Sequence, residues 1–257
     1  MLSKNKLKLL RQLASKKHRD ELRLFIAEGP KVVGDLLGVF PCAVLLATRE
    51  WLDAQGDLAK RGVIDNATEV IEITQHELEQ ASLLKTPRDV MAVFRRPAVE
   101  IDITAPRHTL TIALDGVQDP GNLGTILRIA DWFGIEHVYC SPDTADAFSP
   151  KTIQATMGAI ARVRVHYVAL PALFEAVGAD VPVYGTFLDG QNLYAQELTP
   201  HGIIVMGNEG NGISPAVSAC INRRLFIPSF PADRETSESL NVAIATAITC
   251  AEFRRRS

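Results

Sequence analysis

Cysteine is scarce in this 257-residue sequence: Cys42, Cys140, Cys220 and Cys250 stand far apart and form no CxxC pair. That spacing supports neither a structural zinc site nor a dithiol redox centre, and it points to reduced thiols. The six histidines are scattered as well, with no HExxH spacing, so no metal is expected. No apolar run approaches the ~18–20 residues of a membrane span. The opening MLSKNKLKLL is basic but lacks the continuous apolar stretch and small-residue cleavage site of a secretory signal. The expected location is therefore the cytoplasm, with no membrane partner. What is present, 47% hydrophobic and 22% charged residues, is ordinary globular composition. The length suits one large or two modest domains.

The net charge of −3 hides an asymmetry. Residues 1–31 carry nine Lys and Arg against three acids, while the remainder is acidic on balance. A basic block on an acidic chain is an electrostatic footprint for a polyanion such as RNA, with Lys4, Lys6, Arg11, Lys16, Lys17 and Arg19 as the candidate contacts. A solvated helix face is the competing reading. The terminal Arg254, Arg255 and Arg256 read as complements to a helix C-terminus.

Strand and helix patterns alternate throughout, which predicts parallel sheets covered by helices. A basic helix over about residues 3–15 precedes strand patterns at LRLFIAE, CAVLLAT, EVIEIT and DVMAVF. The stretch RRPAVEIDITAPR holds two prolines and little periodicity, so the boundary is placed at 96–107, between domains of 1–95 and 108–257. The second half restarts with TLTIALD, a helix from about 121 to 133, and the strand patterns HVYC, RVRVHYV, VPVYGTFL and GIIVMG. A last helix is expected from near Ser239.

Three places concentrate chemistry. In GVQDPGNLGTILRIADWFG, Gly116 and Gly121 are spaced like a phosphate-cradling loop, but Asn122 and Leu123 stand where Lys and Ser/Thr are required. A nucleotide-dependent enzyme is thereby disfavoured. In the helix that follows, Leu123, Ile126, Leu127 and Ala130 form a buried stripe, with Asn122, Thr125 and Arg128 stepping along a neighbouring face. Asn122 alone reads as an N-cap. The second place, IIVMGNEGNGIS, runs a buried strand into a loop where Gly207, Gly210 and Gly212 enclose Asn208 and Glu209. Glycines let backbone approach a ligand closely, and ligands dock at the carboxyl ends of parallel strands. The third place holds Ser239 as a candidate cap, Asn241 in the first turn, and a stripe of Leu240, Ala243, Ile244, Ala247, Ile248 and Ala251 for close packing.

Taken in order, these segments resemble the SpoU/TrmH family of RNA ribose 2′-O-methyltransferases of the SPOUT superfamily. Asn122, Gly124, Arg128 and Gly134 match its first motif, and Gly207, Glu209, Gly210 and Gly212 match its second. Ile227-Pro228 and Ser239-Leu240-Asn241 match its third. The likeness covers roughly 108–254; the SFPADRETSE segment is longer than usual. The basic first segment with FIAEGPKVV resembles the small L30e-like α/β substrate-binding domain that often precedes this fold.

The resemblance implies an α/β catalytic domain with a deep trefoil knot and S-adenosylmethionine as methyl donor. It implies cofactor contacts at Thr186, Gly207, Asn208, Gly210, Ile227, Pro228 and Leu240. It implies catalytic roles for Arg128, Asn122, Glu209, Ser239 and Asn241, and a homodimer in which Arg128 reaches the cofactor of the other chain. The substrate is RNA, ribosomal slightly favoured over transfer RNA. A guanidinium normally keeps its proton. Arg128 is thus open to two accounts, an unusually acidic base or a cation stabilising a developing alkoxide. An RNA-binding scaffold of the same fold, without turnover, is the alternative.

Overall fold

The computed structural model describes residues 2–56, 67–231 and 239–256. The chain divides into two compact units: Met1–Ala98 with Asp146–Ala161, and Val99–Ala145 with Arg162–Ser257. The break at Ala98 falls inside the 96–107 stretch. The return of Asp146–Ala161 to the first unit has no counterpart in the sequence reading, which kept everything after 108 together. Part of the SFPADRETSE segment, 232–238, lies outside the described residues.

The first unit opens with two helices, Lys4–Gln12 and Lys16–Leu22, where one helix was expected over 3–15. The break has a physical cause. The Arg19 guanidinium takes the carbonyls of Leu13 and Ala14 at 2.8 and 2.7 Å, acceptors that a continuing helix would have used for its own N–H groups. Strands β1 (Leu24–Glu28), β2 (Cys42–Ala47), β3 (Val70–Glu72) and β4 (Val90–Arg95) follow, in the order β1-β4-β2-β3. Here the all-parallel expectation fails: β4 runs antiparallel to both β1 and β2, and only β2 and β3 are parallel. Alternating strand and helix patterns report the elements, not the direction in which a strand returns.

Arg19 is 3% exposed, and its Nη2 lies 2.8 Å from the buried carboxylate of Asp146. Phe148, two residues on, packs its ring 5.0 Å from Phe25 of β1 and lies under the Arg96 guanidinium. Arg19 therefore leaves the set of RNA-contact candidates, because its guanidinium is already engaged inside the unit. Removing either member of such a buried pair costs about 3–5 kcal/mol, since the other charge is stranded.

The second unit is a six-stranded sheet in the order β10-β8-β9-β5-β6-β7, every pairing parallel. Its strands are β5 (Leu110–Leu114), β6 (His137–Cys140), β7 (Arg164–Tyr167), β8 (Val183–Asn192), β9 (Gly202–Met206) and β10 (Arg223–Phe226). The last was not read from the sequence. Strands β5 and β9 are buried at every position, as apolar runs covered on both faces must be. Between Arg224 and Leu225 the partner on β8 jumps from Gly185 to Gln191, so residues 186–190 leave the ladder with β10.

The Pro120–Trp132 helix starts at an Asp119 cap, which accepts the Asn122 N–H at 2.8 Å, with Pro120 just inside. Its stripe of Leu123, Ile126, Leu127 and Ala130 is fully buried, as expected. Gly134, at φ +63°, turns the chain away, and the Arg254 guanidinium caps the carbonyls of Phe133 and Gly134 at 2.7 and 3.1 Å. Arg254 so complements a neighbouring helix, while Arg255 and Arg256 pair with Glu252. The closing helix is Val242–Arg255, three residues later than expected.

On β6 and β7, the His137 and His166 rings lie parallel within 4°, with Nδ1 of the first 3.1 Å from Nε2 of the second. Burial pushes His166 down to about 4, helped by the charges of His137 and Arg164 and opposed by Asp102. His137 is lowered by burial and Arg164, with Asp102 and Glu136 opposing. The unfolded chain thus binds protons at a pH where the folded chain does not. The contribution of this pair to stability is at its full value above about pH 6.5 and is lost as the pH falls towards 4. Thermal unfolding across that range should show a falling Tm for the native protein, and a shallower fall for His166→Phe. An equal slope in both would remove His166 from the account.

Candidate active site

The site forms where β5 and β9, adjacent and parallel, deliver their carboxyl ends side by side. Two hydrogen bonds lash the emerging loops together. Asp115 Oδ2 accepts the Ser214 N–H at 2.7 Å, and Asn208 Nδ2 donates to the Gly116 carbonyl at 2.7 Å. Asp115 escaped the sequence reading because it looked like the end of a strand.

The Asn208–Gly212 loop closes on itself through paired backbone hydrogen bonds of 2.9 and 3.0 Å. Asn208 Oδ1 accepts the N–H groups of Gly210 and Asn211 at 2.9 and 3.0 Å. The Asn208 side chain is therefore occupied in folding the loop, and what it can offer a cofactor is backbone. Gly207 is required sterically: a Cβ there would lie 2.3 Å from the Gly212 carbonyl carbon.

Three residues from three distant segments meet. Asn122 Nδ2 donates to Glu209 Oε1 at 2.8 Å, and Asn241 Nδ2 donates to Asn122 Oδ1 at 3.1 Å. The residue types suggested Asn122 and Ser239 as helix caps; the caps are Asp119 and Asn241 instead. Asn241 Oδ1 accepts the N–H groups of Ala243 and Ile244 at 3.0 and 3.3 Å. Ser239 is exposed and makes no hydrogen bond among the described residues. Arg128 is not part of the cluster: it is exposed and has no ion pair or hydrogen bond among the described residues.

The expected cofactor residues gather at neighbouring strand ends. Thr186 opens the excursion of β8, its hydroxyl 3.7 Å from the Met206 sulfur, and Gly207 follows β9 directly. Ile227 and Pro228 follow β10 and are half-buried, and Leu240 is 48% exposed. The residue types present are backbone polar groups, one hydroxyl and apolar side chains, chemistry that suits an adenine ring and an amino-acid tail. Among the described residues no cluster of His, Cys, Asp and Glu is fit to hold a metal, and no helix is long and apolar enough to cross a membrane.

Residues 109–251 match the SpoU rRNA Methylase family, and residues 4–92 match the MRM3-like substrate binding domain. The chain is 30% identical over 246 residues to the 23S rRNA (guanosine(2553)-2′-O)-methyltransferase RlmP of Bacillus subtilis, covering 95% of this chain and 93% of that one. A TrmH-family structure from Porphyromonas gingivalis superposes with a TM-score of 0.88 at 46% identity, over the full length of both chains. The AdoMet-bound rRNA methyltransferase of Sinorhizobium meliloti gives 0.84 at 29% identity, over 100% of this chain and 96% of that one. The class so defined is that of the RNA methyltransferases. The chain belongs to the SpoU rRNA Methylase family.

The Gly207 geometry makes a sharp expectation. In Gly207→Ala the added carbon meets the Gly212 carbonyl, so the loop must open and the Asn122–Glu209 contact is lost with it. Backbone amide exchange at Asn208 and Gly212 should accelerate in the variant, and unchanged protection there would show that the loop tolerates the side chain.

Proposed function

We propose that the protein transfers a methyl group from S-adenosylmethionine to a ribose 2′-hydroxyl of structured RNA, with ribosomal RNA favoured over transfer RNA. The observation that carries this reading is the hydrogen-bonded meeting of Asn122, Glu209 and Asn241 beside a glycine loop at the strand ends of a parallel sheet. The activity for which the B. subtilis relative is named and the AdoMet bound in the S. meliloti structure support it. The reading places the protein in the cytoplasm, and a deep trefoil knot in the C-terminal half is part of it.

When bound, S-adenosylmethionine supplies a methyl group made electrophilic by its sulfonium. The chain's own work is to hold the partners in line, which contributes ~7–11 kcal/mol in well-oriented systems. Backbone at Gly207, Asn208 and Gly210, with Thr186, Ile227, Pro228 and Leu240, would hold the cofactor. Glu209, Ser239 and Asn241 shape the ribose side, and Arg128 is assigned to the reacting hydroxyl.

A second copy of the chain is part of the proposal. Trp132 is 85% exposed and Ile244 53%, on two helices that pack together, and Leu240 and Ala251 extend the exposed apolar face. Large apolar side chains left exposed on neighbouring helices are suited to an interaction site. Arg128 lies one turn from Trp132, so a self-associating face would carry it to the partner's site.

The first unit, within 1–95, is assigned to RNA binding. Lys4, Lys8 and Arg11 line one shallow groove with Leu7 and Gln12, and Lys16 and Lys17 are exposed beyond it. Lys6 is partly committed to an ion pair with Glu69.

Mapping of 2′-O-methyl sites in total RNA from cells with and without the protein should reveal one ribosomal position that depends on it. Calorimetry should show S-adenosylmethionine binding, whereas a scaffold without turnover would bind none. Arg128→Ala and Glu209→Ala should each be inactive alone. Mixed and reassociated, they should recover roughly a quarter of native activity, because half the dimers hold one intact composite site. No recovery would place Arg128 and Glu209 in the same chain's site.

A further inference from the structure

The order of hydrogen bonds between Asn241, Asn122 and Glu209 is fixed by chemistry. The backbone N–H groups of Ala243 and Ile244 can be met only by an acceptor, so Asn241 must turn its oxygen to the helix. Its Nδ2 then faces Asn122 and requires the Asn122 oxygen, at 3.1 Å. That leaves Asn122 Nδ2 to face Glu209, whose ionised carboxylate is acceptor-only, at 2.8 Å. The chain of amides therefore runs one way, from the N-terminus of the Val242–Arg255 helix to a single carboxylate oxygen. The other oxygen, Oε2, has no partner among the described residues, and Glu209 is exposed.

We propose that Asn241 is a positioning residue that acts through Asn122 to set the orientation of Glu209, so that Glu209 Oε2 stands as a fixed acceptor for a hydroxyl of the substrate ribose. The inference rests on the methyltransferase reading and adds what that reading lacks: a polarity. Asn122 is tied to Glu209 and Asn241, not to Arg128, and capping a helix and aligning the carboxylate are two uses of one Asn241 side chain. A carboxylate on a rotatable stem with one oxygen anchored presents the second in one direction. Released from Asn122, it samples many directions.

The polarity makes a test that a simple packing role would not pass. Asn241→Asp keeps the helix cap, since a carboxylate accepts the same two N–H groups, but it has no hydrogen to give Asn122. Asn122 then reverses, donating to the introduced carboxylate and turning its oxygen to Glu209, which is expelled. In Glu209→Gln alone, the Gln oxygen accepts from Asn122 and its NH2 points to the substrate, a donor where an acceptor is needed. Combining the two reverses the whole chain: the Gln NH2 donates to the reversed Asn122, and the Gln oxygen faces the ribose again.

The expected result with RNA and S-adenosylmethionine is a loss of kcat/KM for RNA of about tenfold to a hundredfold in each single variant, the size of a displaced reacting group. The Asn241→Asp/Glu209→Gln protein should be more active than Glu209→Gln alone, with Tm and the Kd for S-adenosylmethionine unchanged throughout. Losses that simply multiply in the double variant would overturn the proposal, as would an Asn241→Asp enzyme equal to the native one. The Asn122 side-chain amide resonances provide a readout that needs no activity. They should shift in both single variants, and unmoved resonances would also overturn the proposal. Native protein that methylates no RNA would sink the methyltransferase reading, while these resonances would still decide the relay.

Discussion

Two helix N-termini meet at one amide–amide hydrogen bond, Asn241 to Asn122, and the rest of the site depends on how those helices satisfy their first N–H groups. The Pro120–Trp132 helix uses Asp119, so the Asn122 side chain is spared from capping and can face across to Glu209. The Val242–Arg255 helix uses the oxygen of Asn241, which frees its nitrogen. Had Asn122 been the cap, as its residue type suggests, its oxygen would be consumed locally and the three segments would have no common partner. The parallel pairing of β5 and β9 supplies the remaining constraint, since it places 115–122 and 207–212 at the same edge.

Much of the second unit was legible in the sequence because its physics is one-dimensional. Continuous apolar runs mark β5 and β9, and the 3.6-residue period of Leu123, Ile126, Leu127 and Ala130 marks a buried helix face. What stayed hidden depends on three-dimensional partners. Caps moved by two or three residues, because any of several Asp, Asn or Ser side chains near a helix start can serve and geometry chooses among them. β10 is short and contains Arg223 and Arg224, so its apolar content never looked like a strand. The reversed direction of β4 and the membership of Asp146–Ala161 in the first unit leave no periodic trace.

Threonine explains the largest misreading of a surface. The stripe of Leu240, Ala243, Ile244, Ala247, Ile248 and Ala251 reads as a packing face, and Ala243 is buried as such a face requires, yet Leu240, Ile244 and Ala251 are exposed. Beside Ala243 the buried face holds Thr246 and Thr249. Their hydroxyls donate to the carbonyls of Val242 and Ala245 at 2.7 and 2.9 Å, so each buried hydroxyl has its partner within its own helix. Polar residues that satisfy themselves can go inside, and they release apolar residues to the outside. Arg19 shows the converse. A cation in a basic run reads as a surface charge, but an acid more than a hundred residues later in the chain draws it into the interior.

The same contrast bears on Arg128. In a single chain it is exposed and makes no ion pair among the described residues. Guanidinium is the most basic of the side chains, so a part as general base would require a site built to oppose its chemistry. A part as a cation beside a developing alkoxide requires only that water be excluded and the charge brought close, since such a charge acts most strongly in a dry, preorganised site. The exposed apolar surface of Trp132 and Ile244 would exclude that water if a second copy covered it as proposed. Association of the chain and the electrostatics of the reaction would then be one event: the face that buried the apolar surface would be the face that delivered the charge.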